Sequence, residues 1–165
     1  MTGKPLQNKF QPIAFIISLA ITLAIGFTAS LFTRPQIAGW YAGLQKPWFN
    51  PPPSVFAPVW TSLYVLIAIA AWLVWRRREK TVKFYTTVSL YAIQLLLNFL
   101  WSLVFFGMHE VLSALVVIIF LWISILLNCV LFDRYSKTAT WLMVPYLLWV
   151  TFAVFLNLFI YTLNR

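Results

Sequence analysis

Five stretches of this chain run about 20 residues or more without an internal charge, and no other feature narrows its fold so far. They cover 13–32, 55–75, 84–106, 111–132 and 141–163. A hydrocarbon core about 30 Å thick takes about 20 apolar residues as helix, so each stretch is long enough to cross once. With 62% hydrophobic and 9% charged residues, little is left to build a water-soluble core. The expected fold is an all-α integral membrane protein, a bundle of five transmembrane helices forming one domain over 1–165. A membrane β-barrel would need alternating segments of about ten residues, and none is evident. The first stretch follows a short basic head without a small-residue cleavage site of the A-x-A kind, so it reads as a retained helix.

After the first stretch the aromatic, proline-stiffened segment WYAGLQKPWFNPPPSVFAPVW, 40–60, runs straight into the second. Four prolines between Pro47 and Pro53 fix φ near −65° and remove backbone donors, which excludes an ordinary helix there. An extended or turned cover carrying Trp40, Tyr41, Trp48, Phe49 and Phe56 suits a lid over a membrane pocket. Taken singly, Trp40 and Trp48 also suit an aromatic belt at headgroup level.

Lys and Arg flanking short loops set orientation. The amino terminus (Lys4, Lys9), the loop with Arg76, Arg77, Arg78, Lys80 and Lys83, and the loop with Arg134 and Lys137 share one face and hold nine of the twelve basic residues. Arg34, Lys46 and Arg165 lie on the other. In a bacterial inner membrane the amino terminus is therefore expected in the cytoplasm, with the proline-rich loop outside. The net charge of +9 is accounted for by topology and attraction to anionic lipid, and calls for no nucleic acid.

Within the spans, Ser18, Thr22, Gly26 and Ser30 recur every four residues, a small-residue stripe that lets a helix of this bundle or of a second copy approach closely. Polar side chains in hydrocarbon need partners and mark candidate sites. Gln94, Asn98 and Trp101 share one helical face; Tyr146, Trp149, Ala153 and Asn157 share another, just past Pro145; Trp60 and Tyr64 open the second span after Pro58. At about 1.5 Å per residue, Trp60 lies about 7 Å, Asn98 about 12 Å and Trp149 about 20 Å below the loop. A planar ligand would fit between such aromatic faces, oriented by Asn98 and Gln94. The alternative for these polar groups is bonding between helices, and Gln94 suits it best.

WYAGLQKP followed by NPP and FAPVW, then QLLLNFLWSLVFFG, then PYLLWVTFAVFLN, closely resembles the TspO/MBR family of tryptophan-rich sensory and mitochondrial translocator proteins, the latter also called peripheral benzodiazepine receptors. The resemblance runs from Trp40 to the carboxyl end. It implies a five-helix bundle, commonly a homodimer, that binds porphyrins, sterols and isoquinoline carboxamide or benzodiazepine-type ligands beneath the first loop. Carried over by motif, Tyr41, Trp60, Asn98, Trp149 and Ala153 line that site; Trp48, Pro51, Tyr64, Gln94 and Tyr146 are added from the depth and lid arguments. Many members carry a further Trp where this chain has Pro53 and Ser54, which implies weaker stacking by the lid. Leu158, Tyr161 and Arg165 meet the loose cholesterol-recognition pattern.

No catalytic or metal-binding set stands out. His109 and Cys129 have no partners at ligand or nucleophile spacing, and the carboxylates Glu79, Glu110 and Asp133 all sit at helix ends. The one reaction the resemblance suggests is light-driven breakdown of a porphyrin through Trp60 and Trp149. No obligatory cofactor is expected; protoporphyrin IX or haem would be a ligand. Two functions follow: a binder and sensor of tetrapyrroles and related lipophilic molecules such as sterols, regulating their level or a stress response, or a transporter of them across or along the membrane.

Overall fold

The computed structural model describes residues 11–165, so the expected amino-terminal anchors Lys4 and Lys9 lie outside the described residues. All five spans are present as helices long and apolar enough to cross a membrane. They are α1 (Pro12–Ile37), α3 (Pro53–Arg76), α4 (Val82–Ser102), α5 (Val111–Asp133) and α6 (Lys137–Leu163); a single turn, α2 (Trp40–Gly43), lies in the loop after α1. Helix is what hydrocarbon demands, since every backbone donor and acceptor is then satisfied within its own segment. Pro12 and Pro53 begin α1 and α3, where a missing N–H costs nothing. Thr81 and Ser136 cap α4 and α6 by accepting from the amides of Phe84 and Ala139, each at 3.3 Å. Pro145 does not interrupt α6, which runs unbroken past it.

The helices close a ring in the order α1, α3, α6, α5, α4, with α1 returning against α4. One end of the ring carries Arg76, Arg77, Arg78, Lys80, Lys83, Arg134 and Lys137 and is called the basic end below; the other carries α2 and its loop. The central core is apolar, built on Ile67, Ile118, Leu121, Ile125, Met143, Tyr146 and Val150. At the loop end α4 passes into a π-helical turn, Leu103–Gly107. That wider turn leaves Val104, Phe105 and Phe106 all buried, and they seed a second cluster with Tyr41, Ala114, Leu156 and Ile160.

The small-residue stripe of α1 is used inside this bundle. Ser18 Oγ donates to the Ala68 carbonyl of α3 at 2.8 Å, and the Thr22 hydroxyl lies 2.9 Å from that of Tyr91 on α4. Farther along, the Thr33 and Ser102 hydroxyls are 2.7 Å apart. At Gly26 the backbone meets the Tyr64 ring so closely that a Cβ would overlap it. Gly26→Ala is therefore expected to lower stability by about 1–3 kcal/mol in graded SDS unfolding, the range for overpacking. The penalty should be smaller when Tyr64 is already Leu, because the struck ring is gone. Equal penalties in the two backgrounds would mean that Gly26 serves helix α1 itself and not this contact.

Candidate functional site

Three polar side chains from three helices meet inside the bundle, toward the loop. Asn98 on α4 accepts from the Tyr64 hydroxyl of α3 at 2.6 Å and donates through Nδ2 to the Tyr146 hydroxyl of α6 at 2.8 Å. All three are buried. Nearer the loop, Trp101 Nε1 donates to Asn157 Oδ1 at 3.2 Å, while Asn157 Nδ2 donates to the Val111 carbonyl at 2.9 Å. Two hydrogen bonds, Asn98 to Tyr146 and Trp101 to Asn157, therefore join the sequence-predicted faces of α4 and α6 across the bundle.

Above the polar chain lies a nest of aromatic rings. The Trp60 ring centre stands 5.7 Å from Tyr64, 6.0 Å from Trp101 and 6.3 Å from Tyr146. Trp149 packs at 6.2 Å on Phe56 and 5.5 Å from Phe152. Tyr41 closes the top against Phe56, Phe105 and Phe106. Inside this nest, which Tyr41, Trp60, Trp149 and Ala153 help to line, only about 20 Å³ is open. A larger cavity of about 350 Å³ adjoins it in the seam between α1 and α3, walled by Gly26, Ser30, Tyr41, Trp60, Tyr64 and Asn98. That is within the size range of small-molecule pockets, about 300–1,000 Å³.

The loop is tied down at several points. The Tyr41 hydroxyl donates to Asn50 Oδ1 at 2.7 Å, and the Asn50 amide closes a turn on the Pro47 carbonyl at 3.0 Å. Lys46 Nζ donates to the carbonyls of Ala42 and Leu44 and stands 5.0 Å from the Tyr41 ring centre. Gln45 and Asn164, at the end of α6, exchange two hydrogen bonds of 2.9 and 2.8 Å. On the other side Trp40 stacks on His109 at 4.3 Å, and His109 Nε2 lies 3.1 Å from Gln36 Oε1. His109 takes φ of 60°, a left-handed conformation that His adopts more readily than most residues. Burial pushes the Tyr41 phenol up to about 12, with the Asn50 bond pulling the other way. The folded loop thus holds that proton more tightly than an unfolded chain, and its seating weakens only as pH rises from about 10 towards 12.

Of the residues singled out from sequence, Tyr41, Trp60, Tyr64, Asn98, Trp149 and Ala153 line the two loop-end cavities, and Tyr146 reaches them through Asn98. Gln94 does not: its Oε1 accepts from Asn128 Nδ2 at 2.8 Å, which joins α4 to α5. Trp48 is 96% exposed, its ring turned edge-on to Phe49, and lines neither cavity. Pro51 is half-buried beside Asn50, also outside both linings. Leu158 and Tyr161 lie in the last turns of α6 and Arg165 just beyond it, with Leu158 and Arg165 exposed. Sequence reasoning missed the pair Phe105 and Phe106, brought inward by the π turn, and the loop anchors Asn50, His109 and Asn164. Among the described residues no group of His, Cys, Asp and Glu is placed to hold a metal ion.

The chain matches the TspO/MBR family over residues 18–163. It is 45% identical to the tryptophan-rich protein TspO of Chlorobaculum tepidum, over 96% of this chain and 99% of that protein. It is 40% identical to the tryptophan-rich sensory protein of Cereibacter sphaeroides, over 87% of this chain and 86% of the relative. To the human translocator protein it is 36% identical, over 79% of this chain and 78% of the relative. With five spanning helices and a family match over most of its length, this multi-pass integral membrane protein belongs to the TspO/MBR family.

Proposed function

We propose that this protein is a membrane receptor for tetrapyrroles and related lipophilic ligands such as sterols, which it captures beneath the loop and whose level or associated stress response it regulates. The observation that carries this reading is the aromatic nest together with the cavity beside it: flat faces from Trp60, Trp101 and Trp149, with Asn157 in the nest and the Tyr64–Asn98 pair in the adjoining wall. Such a site rewards a planar, largely apolar molecule that offers a carbonyl or carboxylate at one edge. The nest is nearly filled by its own rings, so a ligand enters through the seam between α1 and α3 and displaces Phe56 and Trp60. The loop then acts as a lid, preorganised by its prolines. The charge bias supports an orientation with the basic end in the cytoplasm.

A second reading, movement of the same ligands along the membrane, draws support from the name of the human relative and from the sideways opening of the 350 Å³ cavity. Proteoliposomes with porphyrin trapped inside separate the two. Release that depends on the protein establishes transport, and saturable binding without release establishes a receptor.

Protoporphyrin IX is expected to quench the tryptophan fluorescence of the detergent-purified protein saturably. Quenching that persists unchanged in a Trp60→Phe, Trp149→Phe double variant would place the porphyrin elsewhere. Asn98→Leu should weaken carbonyl-bearing ligands by about 1–2 kcal/mol, the range for a hydrogen bond in lipid, as read by calorimetry on protein whose circular dichroism is unchanged. Replacing Pro51 and Pro52 by Gly should raise the ligand off-rate in stopped-flow with a smaller change in on-rate, because a freer loop is ordered anew at each closure. An unaltered off-rate in that variant would mean that the helices alone close the site.

A further inference from the structure

A second large cavity lies at the opposite end of the bundle, away from the aromatic nest. It is a groove of about 770 Å³ in the seam between the first half of α1, the end of α3 and the first half of α4, with Phe132 of α5 among its walls. From Gln11, just before α1, its wall on that side runs to Ile21. Ten residues of helix advance about 15 Å, which is half of a hydrocarbon core about 30 Å thick. The groove therefore has the depth of one leaflet, and it is flanked by side chains exposed to the membrane, Ile13, Ile17 and Ile21.

Its interior is apolar in effect, because the hydroxyls it contains are already committed. Ser18 donates to Ala68, Thr87 donates to the Lys83 carbonyl at 2.9 Å, and Tyr91 pairs with Thr22. Among the described residues only one charged side chain lines the groove, Arg78, and no carboxylate does. Arg78 is exposed at the mouth, with its guanidinium 5.3 Å from the Trp75 ring centre and Nη1 2.8 Å from Gln11 Oε1. Arg77, Lys80 and Lys83 are exposed nearby, with Glu79 the one acidic neighbour in the same loop.

An apolar slot one leaflet deep with a cation at its mouth suits a molecule with a long hydrocarbon chain and an anionic head. We infer that this groove binds one anionic phospholipid from the leaflet at the basic end, its acyl chain between α1 and α4 and its phosphate at Arg78. A basic pocket between helices at a membrane surface is a recognised setting for anionic headgroups. The site is separate from the tetrapyrrole site proposed above and stands without it.

Trp72 and Trp75 line the groove, so a lipid with brominated acyl chains quenches them on contact. The full chain, purified in uncharged detergent, is titrated with dibromo-phosphatidylglycerol and with dibromo-phosphatidylcholine. Saturable quenching that favours phosphatidylglycerol is expected. Arg78→Gln should weaken it about fivefold, the loss of one cation near an anionic surface, while Arg78→Lys retains most of it. Ala92→Phe, which fills the apolar part of the groove, should weaken both lipids. Arg77→Gln, an equal loss of charge outside the lining, should have little effect. Equal quenching by the two lipids, or equal effects of Arg77→Gln and Arg78→Gln, would overturn the site and leave only general attraction to the basic run.

Discussion

A side-chain amide buried in hydrocarbon has no water to turn to, and this constraint shapes the bundle. Asn98 meets it by accepting from one tyrosine and donating to another, which fixes α3, α4 and α6 at one depth. Asn157 meets it by holding both Trp101 and the start of α5. In lipid, apolar surface gains little from being covered by another helix, because the lipid tails are as apolar as leucine. Register in such a bundle therefore rests on close packing and on these few hydrogen bonds. Tyr64, Asn98 and Trp101 also line the loop-end cavity, so that cavity and the structural tie are built together.

The loop follows from a different balance. Its prolines withdraw backbone donors and limit the chain to turns, so its seating depends on side chains. Tyr41 supplies both a buried ring and a hydroxyl for Asn50, and Lys46 satisfies two loop carbonyls while lying over that ring. Trp40 on His109 and Gln45 on Asn164 anchor the two flanks to the α4–α5 turn and to the end of α6. These anchors lie at the water-facing edge, where a hydrogen bond is worth less than in the core and opens more readily.

The five spans were legible because their length and lack of charge are properties of single segments. Their ends were less so: α1 continues to Ile37 through Arg34 and Pro35, since a cation is tolerated where a helix leaves the hydrocarbon. Asn98 was legible as a polar residue on the same face as Trp101. Gln94 shares that face by spacing, yet its partner Asn128 lies 34 residues away on another helix, and one helix seen alone does not show which neighbour it meets. The π turn had no sequence signal, so the burial of both Phe105 and Phe106 could not be foreseen. Trp48 was grouped with the lid on composition, but the turn at 47–50 points its ring outward. Loop anchors such as Asn164, 119 residues from Gln45, belong to the fold and not to any local pattern.

Both large cavities share a wall, α1. Among its residues only Thr22 and Ala29 are buried, so it is the most exposed of the spans. It is held by Gly26 against the Tyr64 ring, by the ring contacts Phe15–Trp72 and Phe32–Phe99, and by hydrogen bonds that include Ser18 to Ala68, Thr22 to Tyr91, Thr33 to Ser102, and Ser102 to the Ala29 carbonyl at 3.1 Å. Hydrogen bonds between helices in lipid are worth about 0.6–2 kcal/mol each. A molecule that enters either seam competes with these contacts, and its measured affinity is the surplus left after they are parted. Parting α5 from α6 would instead undo the close packing at Ile125, Met143 and Val150 and break the Trp122–Thr151 bond of 2.8 Å. Both larger cavities thus open along α1, the span with the most exposed surface.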